Sequence, residues 1–349
     1  MAVLAREVTA TVLARIETRC GVRLDASLLE ARARHMKLAP PGLVSANGSC
    51  HMVRCADGWL AVNLPRPGDI DMAPAWLETD VFPAGTGGAW DLVHRLAAAR
   101  KSDELVERAS LLGLAVSAPG MVRPDTAAVP VLRAGAPARR TGRLSVVDLS
   151  ALWAGPLCGS ILGLAGAAVV KLEDPSRPDT TRDATPGFFN ELNGMKSLME
   201  LSLGASEGRA RLGDLVADCD VLITSARPRA FAGLGLSPQQ VFAANPKLVW
   251  VCITAHGCQG PAAERVGFGD DAAVAGGLFD QSQDGAPVFC GDALADPLCG
   301  VFAADAALEA LEGGGGVMLD AALSKVAAWV ATSTPEGHVA TASPRHAKC

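Results

Sequence analysis

The sequence lacks the excess of positive charge and the N-terminal leader that mark two common classes of protein. Its 31 Lys and Arg residues are outnumbered by 37 Asp and Glu residues, which gives a net charge of −6. General nucleic-acid binding needs concentrated Lys and Arg to neutralise phosphates, so the composition argues against it. The N-terminus has no basic start followed by an apolar run, and we therefore predict no secretory signal.

Cysteine is present, but not in the spacing that a metal site needs. The ten cysteines are scattered, without a Cys-x-x-Cys pair and without histidine at zinc-ligand spacing. We predict no metal site and interpret the cysteines as reduced thiols of a cytoplasmic protein.

One uncharged stretch, Leu149 to Val170, is about as long as a membrane span. It is interrupted by Gly155, Pro156 and Gly159, which are poorly suited to one continuous helix. The stretch therefore predicts a strand end, a tight loop, a short glycine-faced helix and a second strand, and no association with a membrane.

The remaining chain divides by pattern. A length of 349 residues with 49% apolar content is enough for a substantial core. We predict an N-terminal helical arm in residues 1–38, a small α+β domain in 39–121, a linker rich in Pro, Ala, Gly and Arg in 122–143, a large domain in 144–330, and a flexible tail in 331–349.

The large domain alternates strand and helix patterns. Predicted strands lie at 144–149, 167–173, 221–224 and 248–253, and predicted helices at 156–164, 206–218 and 238–244. This alternation predicts an α/β fold with a Rossmann-like, doubly wound parallel sheet. A dinucleotide site is not expected, because Ala154 to Gly159 lacks Gly-x-Gly-x-x-Gly and Pro156 removes a backbone amide.

Several motifs of this domain, taken in order, resemble one family. They are Asp148-Leu149-Ser150 with Ala154-Gly155-Pro156, Lys171-Leu172-Glu173, Asn193 with Lys196, Arg227-Pro228, Leu234 to Ser237, Asn245-Pro246 to Gly260-Pro261, and Asp296-Pro297 with Gly300. Together they resemble the family III CoA-transferases, a superfamily that includes formyl-CoA, carnitine and bile-acid CoA-transferases and the 2-methylacyl-CoA racemases. The resemblance implies transfer of CoA from an acyl-CoA thioester to a carboxylic acid, with CoA as substrate and no tightly bound cofactor.

The small domain resembles, more weakly, a part that this family carries after the core. Asp57-Gly58-Trp59 and the stretch Leu112 to Val116 carry this likeness. The order of the two parts is then reversed in this chain, which implies a circular permutation or one half of a tandem unit. The tolerance of proteins to such rearrangement rests on chain ends that lie close in space.

Asp296 is the candidate nucleophile. In the family, the aspartate at this position accepts the acyl group, and an ionised carboxylate is able to attack a thioester. An aspartyl anhydride and then an aspartyl-CoA thioester would follow. Two alternatives stay open: Asp296 as the N-cap of the helix that follows it, and Asp292 as the nucleophile, although its spacing to Gly300 does not match.

Further site residues are implied by the resemblance. The positions expected to contact CoA are Trp153, Ala154, Lys171, Glu173, Lys196, Ser225, Ala226, Arg227 and Phe268. The loop containing Asn47, Gly48 and Ser49 is the candidate donor of amide hydrogens to the oxyanion, and a hinge role is the alternative.

Two other functions remain as alternatives. Racemases of the family use a histidine where this chain has Phe268, and His256 is the nearest candidate to replace it. A non-catalytic or heteromeric partner subunit is favoured by Ser225-Ala226, which stands where the family carries an Asn and an aromatic beside the adenine. The expected partners are acyl-CoA, a carboxylic acid and a second chain, either in an interlocked homodimer or in a heteromer.

Overall fold

The computed structural model describes residues 1–82, 85–138 and 142–333 of the protein. The chain begins with helix α1 (Ala2–Cys20), a 3₁₀ turn (Ala26–Glu30) and helix α2 (Ala31–Met36). The apolar face of α1 is buried against a long C-terminal helix, and Arg15 pairs there with Asp305 at 2.6 Å. Helices thus occupy most of the segment predicted as a helical arm.

A small three-stranded sheet follows. Strands β1 (Cys50–Cys55) and β2 (Gly58–Asn63) form an antiparallel hairpin, and β3 (Ala115–Ser117) pairs with β2. Between β2 and β3 lie α3 (Pro67–Asp71), α4 (Ala73–Trp76), α5 (Gly85–Ala97) and α6 (Ser102–Leu112). These elements bury a hydrophobic cluster of their own around Trp76 and Leu105, so the unit is held together by its own packing.

The large sheet has seven strands, β4 (Val131–Ala134), β5 (Ser145–Leu149), β6 (Ala168–Glu173), β7 (Ser197–Glu200), β8 (Val221–Thr224), β9 (Val249–Thr254) and β12 (Val317–Ala322). Their spatial order is β4-β12-β9-β8-β5-β6-β7, and every neighbouring pair is parallel except β4 with β12. Strands β10 (Asp280–Gln281) and β11 (Pro287–Val288) form a separate short hairpin.

Helices connect these strands. They are α7 (Ala154–Leu164), α8 (Thr181–Ala184), α9 (Pro186–Asn193), α10 (Ser206–Asp218), α11 (Pro228–Gly233), α12 (Pro238–Ala244), α13 (Gly269–Ala275), α14 (Ala295–Glu312) and α15 (Leu323–Ala331). Strands β8 and β9 are buried along their whole length, as expected for parallel strands covered on both faces. The predicted doubly wound α/β fold is confirmed.

The direction of winding reverses beside β5. The chain runs from β5 outward to β6 and β7, then returns to the other side of β5 and continues through β8 and β9 to β12. In open α/β sheets, ligands bind outside the carboxyl ends of the strands at such a switch point. The fold thus marks the ends of β5 and β8 as a binding region.

The segment predicted as a linker differs from the expectation, because it contains β4. Among the strands of the described ranges, β12 alone pairs with this short edge strand, and it lies almost two hundred residues later in the chain. Its composition of Pro, Ala, Gly and Arg carries no periodic signal, so only tertiary pairing produces the strand. Of the predicted tail, residues 334–349 lie outside the described residues.

Within the described ranges, no helix combines the length and the apolar character that crossing a bilayer requires. The uncharged stretch from Leu149 to Val170 instead forms the end of β5, the short helix α7 and the start of β6, as predicted.

Candidate active site

Asp296 lies in the first turn of α14, and this helix packs against α13, which in turn contacts the small sheet. The helix begins at Ala295, and its N-cap is Leu294, so the structure does not support the N-cap alternative for Asp296. The residue is half-buried, and its carboxylate makes no hydrogen bond to any residue in the described part of the chain. Ala293, just before the helix, has a φ of 44°, a conformation that strains a side-chain-bearing residue and that often occurs at functional sites.

Gly269 gives the Asp296 carboxylate its space. A Cβ atom on Gly269 would lie well inside van der Waals distance of Asp296 Oδ2 and of the Ala293 carbonyl oxygen. The backbone at the start of α13 therefore touches the carboxylate directly, and only glycine fits at this position.

A buried ion pair lies beside this contact. Arg32 of α2 donates two hydrogen bonds to Asp292, one of them from Nε to Oδ2 at 2.9 Å, and its guanidinium lies 5.4 Å from the centre of the Trp153 ring. Asp292 is therefore a buried partner of Arg32, which argues against it as the nucleophile. Asp270 accepts a hydrogen bond from Ala293 N at 2.8 Å and so helps to hold the strained turn before Asp296.

The crowding of carboxylates raises their affinity for protons. Burial, opposed by Arg32 and assisted by Asp270, Asp271 and Asp292, raises the pKa of Asp296 to about 7. Burial likewise raises the pKa of Asp270 to about 6 and that of Asp271 to about 7. The pKa of Asp296 therefore lies near neutrality, where a carboxylate exists in both protonation states.

A chain of hydrogen bonds links the predicted oxyanion loop to α13. Ser49 Oγ donates to Asn63 Oδ1 at 3.0 Å, and Asn63 Nδ2 donates to Asp271 Oδ1 at 3.0 Å. Asp271 Oδ1 also accepts from Phe268 N at 2.8 Å. The small sheet is thereby fastened to the backbone beside Asp296.

The loop itself uses most of its amides internally. Gly48 N donates to the Ser45 carbonyl at 2.8 Å, and Ser49 N donates to Asn47 Oδ1 at 3.1 Å. The Asn47 amide has no such bond among the described residues. In this conformation, Asn47 N is the amide that the loop Asn47–Ser49 leaves without a hydrogen bond among the described residues.

A cavity of about 620 Å³, here called the sheet cavity, lies at the carboxyl ends of β5, β6 and β8. Of the residues expected to contact CoA, Glu173, Ser225 and Ala226 line it. Phe231 and Leu234 give it an apolar wall, and its charged lining consists of Arg177 with Glu173, Asp174 and Asp179. The cavity occupies the switch point that the sheet topology marks.

Two predicted CoA-binding lysines are engaged within the protein. Lys171 Nζ is fully buried and donates to the Ser150 carbonyl at 2.5 Å and to Asp179 at 3.2 Å. Lys196 Nζ is buried and donates to Asp148 at 2.8 Å and to the Pro156 carbonyl at 2.7 Å. These contacts account for both lysines as supports of the loop that precedes α7.

The start of α7 lies between the sheet cavity and Asp296. A Cβ on Gly300 would lie 2.7 Å from the Ala154 carbonyl oxygen, so α14 crosses α7 in close contact one turn after Asp296. Trp153 is buried at this junction, and Leu152 before it has a φ of 70°. Both predicted residues, Trp153 and Ala154, thus separate the cavity from the carboxylate.

The remaining predicted contacts, Arg227 and Phe268, lie near Arg66 of the small domain. Arg66 of the small domain lies with its guanidinium carbon 5.7 Å from the centre of the Phe268 ring. Burial, aided by Arg229 and Arg66 and opposed by Glu264, lowers the pKa of Arg227. Arg66 and Arg227 are therefore close enough to influence each other, although they belong to different domains.

The racemase alternative gains no support from this geometry. The ring of Phe268 has no group that exchanges protons, and His256 is buried with Nδ1 3.1 Å from Ser324 Oγ. Burial, together with Arg265, lowers the pKa of His256 to about 3. A histidine that stays neutral in the core is poorly suited to two-base proton exchange.

Several residues of the site were not identified from the sequence. They are Arg32, Asn63, Arg66, Asp270 and Asp271. The adjacent acids before an apolar helix offered a signal for Asp270 and Asp271, since buried acids are rare. The others come from distant segments, so local pattern does not connect them to Asp296.

Comparison with known proteins places this geometry in a family. Residues 143–348 match the sequence model of CoA-transferase family III. The chain is 30% identical to succinyl-CoA–D-citramalate CoA-transferase of Chloroflexus aurantiacus, over 50% of this chain and 46% of the relative. It is 32% identical to the beta subunit of succinyl-CoA–L-malate CoA-transferase of the same organism, over 52% of this chain and 48% of the relative.

A solved structure agrees with the sequence comparison. A CAIB/BAIF family protein from Brucella suis superposes with a TM-score of 0.50 and 31% identity, over 54% of each chain. The chain thus spans about half the length of the relatives it matches.

Proposed function

The chain belongs to CoA-transferase family III, and on that premise we propose that it moves CoA from an acyl-CoA thioester to a carboxylic acid through Asp296. The observation that carries the proposal is the Asp296 carboxylate itself. It belongs to a half-buried residue, has no hydrogen bond within the described residues, and lies one helical turn before Gly300, which packs against Ala154 at the start of α7. The loop that precedes α7 lines the sheet cavity through Ser150 and Ala151.

The sheet cavity is the proposed site of the nucleotide part of CoA. Its position at the switch point fits the general rule for open α/β sheets. Phe231 and Leu234 offer an apolar surface for a base, while Arg177 and the nearby Arg227 offer positive charge for phosphates. From there, the thiol-bearing arm of CoA would run over Trp153 and Ala154 to Asp296.

The first half of the proposed reaction loads Asp296. Its carboxylate oxygen attacks the thioester carbonyl carbon, the carbon–sulfur bond breaks, and the CoA thiolate leaves with the electron pair. The thiolate then attacks the Asp296 carbonyl carbon of the resulting anhydride. The donor acid leaves as a carboxylate, and Asp296 now carries CoA as a thioester.

The second half repeats these steps in reverse with a new acid. The incoming carboxylate attacks the aspartyl thioester, the thiolate leaves, and a second anhydride forms. Attack by the thiolate on the new acyl carbon gives the new acyl-CoA and regenerates the Asp296 carboxylate. Each step creates a negative oxygen, for which Asn47 N is the proposed backbone donor.

The position of Asp296 in the first turn of an 18-residue helix supports its ionised form. The positive end of the helix dipole stabilises an anion there, and Arg32 acts in the same direction. Burial and the neighbouring acids oppose both. The balance leaves a carboxylate near its midpoint at neutral pH, which is reactive without being held in an ion pair.

Trapping with hydroxylamine tests the proposal. Incubation of the protein with an acyl-CoA and hydroxylamine should convert Asp296 to a hydroxamate, detected as a mass increase on the peptide that carries it. Asp296→Asn should show no adduct and lose turnover by at least about a thousandfold. The matched control is Asp284→Asn, because Asp284 is exposed and its carboxylate accepts a hydrogen bond from Ser282 at 2.6 Å. An unmodified Asp296 peptide under turnover conditions contradicts the mechanism.

A second function is favoured by one comparison. The relative named as a beta subunit suggests that this chain acts beside a homologous subunit. Small Ser225 and Ala226 line the sheet cavity, and the buried lysines Lys171 and Lys196 leave few cations for phosphates. Isolation from the native cell should then yield a co-purifying chain, and hydroxylamine trapping would label that chain instead of this one.

A further inference from the structure

A second large cavity lies in the small domain, on the side of Phe268 that faces Arg66. This small-domain cavity has a volume of about 680 Å³. The loop residues Asn47 to Ser49 form one wall, and Arg66 and the apolar side chains Leu64, Ile70 and Trp90 form others. A polar loop, one guanidinium and an apolar middle together suit a short organic anion.

We propose that this cavity binds the acceptor acid and that Arg66 selects dicarboxylic acids by pairing with the carboxylate farther from Asp296. The proposal rests on the proposed CoA transfer, because one carboxylate of the acid is assigned to the reaction. The other carboxylate takes no part in bond making and serves recognition alone.

The guanidinium of Arg66 is fixed in place with donors to spare. Its Nε and Nη2 donate to Asp69 at 2.9 and 2.6 Å, and Nη2 also donates to the Gly113 carbonyl at 3.2 Å. Its Nη1 makes no hydrogen bond to the described residues, and the side chain is 48% exposed. An arginine held on one edge and open on the other is prepared to bind a carboxylate without losing much rotamer freedom.

Arg66 and the reacting group contact consecutive residues of one backbone segment. The Arg66 guanidinium lies over the Phe268 ring, and a Cβ on the next residue, Gly269, would meet Asp296 Oδ2. The segment Phe268-Gly269 therefore connects the guanidinium to the carboxylate. We take the acceptor to be an acid with a few methylene groups between its two carboxylates, one carboxylate for each of these two groups.

A negative charge in the lining of the small-domain cavity increases the expected dependence of acid binding on Arg66. Asp71 is the other charged residue of the lining, and it is exposed. Its negative charge disfavours an anion that has no partner, so the Arg66 guanidinium decides whether a second carboxylate is accepted. A monocarboxylic acid of the same length would place an uncharged methyl end near Arg66.

Paired acids of equal length test the proposal. Glutarate and valerate each have five carbons and differ in one carboxylate. The ratio of their kcat/KM values therefore measures how strongly the protein recognises the second carboxylate. For the wild type we expect at least about a tenfold preference for glutarate, and for Arg66→Met a loss with glutarate at least about tenfold larger than with valerate. Arg66→Lys should restore part of the preference, since it keeps the charge.

Two further variants separate recognition from folding. Arg66→Met leaves Asp69, which is 4% exposed, without its counter-ion, so the double variant Arg66→Met with Asp69→Asn removes that charge as well. Arg54→Met is the matched control, because Arg54 also lies over an aromatic ring, 5.4 Å from the centre of Trp59, but lines neither cavity. Arg54→Met should prefer glutarate over valerate by the same factor as the wild type.

Different outcomes overturn different claims. An equal loss with both acids, or a raised KM for the acyl-CoA alone, would show that Arg66 serves the fold or CoA and would end the subsite proposal. If no acid supports turnover, calorimetric titration with glutarate decides the matter independently. Binding by the wild type that weakens at least about tenfold in Arg66→Met supports the subsite, and no binding by the wild type refutes it. Hydroxylamine trapping then judges the proposed function separately.

Discussion

Asn63 donates from Nδ2 to Asp271 Oδ1 at 3.0 Å, and this buried bond joins the small sheet to the helix beside Asp296. Since Ser49 and Phe268 bond to the same two side chains, one amide sets the position of the loop relative to the backbone of α13. The relationship makes Asn63 a positioning residue that touches no reacting atom.

Replacing Asn63 by Ala should reduce both stability and turnover. Loss of the amide leaves a buried acceptor on Asp271 with one fewer donor, which costs about 1–3 kcal/mol in the free energy of unfolding by urea. Because the loop is then released from α13, kcat should fall at least about tenfold at a temperature where the variant is fully folded. The control is Asn245→Ala: Asn245 is equally buried and donates to the carbonyls of Val216 and Cys219, remote from Asp296. Equal kcat losses in the two variants would refute the positioning role.

Turnover should rise with pH through neutrality, because the proposed nucleophile must be ionised. The pKa of Asp296 is raised to about 7, so about a tenth of the carboxylate is ionised at pH 6 and about nine tenths at pH 8.

Arg32→Met should move the pH midpoint of kcat/KM upward, since Arg32 lowers the pKa of Asp296. The variant also leaves Asp292 without its partner and should cost about 3–5 kcal/mol of stability. The control is Arg15→Met, which breaks the pair between Arg15 of α1 and Asp305 of α14 and should leave the pH midpoint unchanged. A pH-independent rate between 6 and 8 contradicts the assignment.

How far the site was predictable depends on where each residue lies along the chain. The bounds of α10, β8 and α12 agree with the sequence pattern to the residue, because periodicity and caps such as the Ser237 box act locally. Asp296 is the candidate because glycine and proline mark its turn and because the family resemblance points to this position. Arg32 and Asn63 come from segments that precede Asp271 and Asp292 by more than two hundred residues, and no local rule connects them. The burial of Lys171 and Lys196 is not predictable from local pattern either, because their ammonium groups bind carbonyl and carboxylate oxygens that only the folded chain brings together.

Gly269→Ala should lower kcat strongly while lowering the free energy of unfolding only moderately. The added Cβ meets the Ala293 carbonyl oxygen and Asp296 Oδ2, so either the turn or the carboxylate must shift. Overpacking of this kind costs about 1–3 kcal/mol, while a displacement of about 1 Å at a nucleophile costs about a hundredfold in kcat. The control is Gly213→Ala in α10, where nothing lies within 4 Å of the added Cβ and the variant should be slightly stabilised with unchanged turnover. Near-normal activity of Gly269→Ala would mean that Asp296 does not react from this position.

Asp271→Asn should stabilise the protein at alkaline pH and change little at acidic pH. Burial raises the pKa of Asp271 to about 7, above the value of about 3.9 in an unfolded chain. The folded state therefore holds this proton more tightly, and its contribution to stability is complete below pH 4 and is lost as pH rises through 7. Asparagine cannot ionise, yet its carbonyl oxygen can still accept from Phe268 N and Asn63 Nδ2. Urea unfolding at pH 5 and pH 8 should show a gain of a few kcal/mol (order of magnitude) at the higher pH, and Asp284→Asn at an exposed site should show none. A gain of equal size at both pH values would instead indicate better packing, with no part for the Asp271 proton.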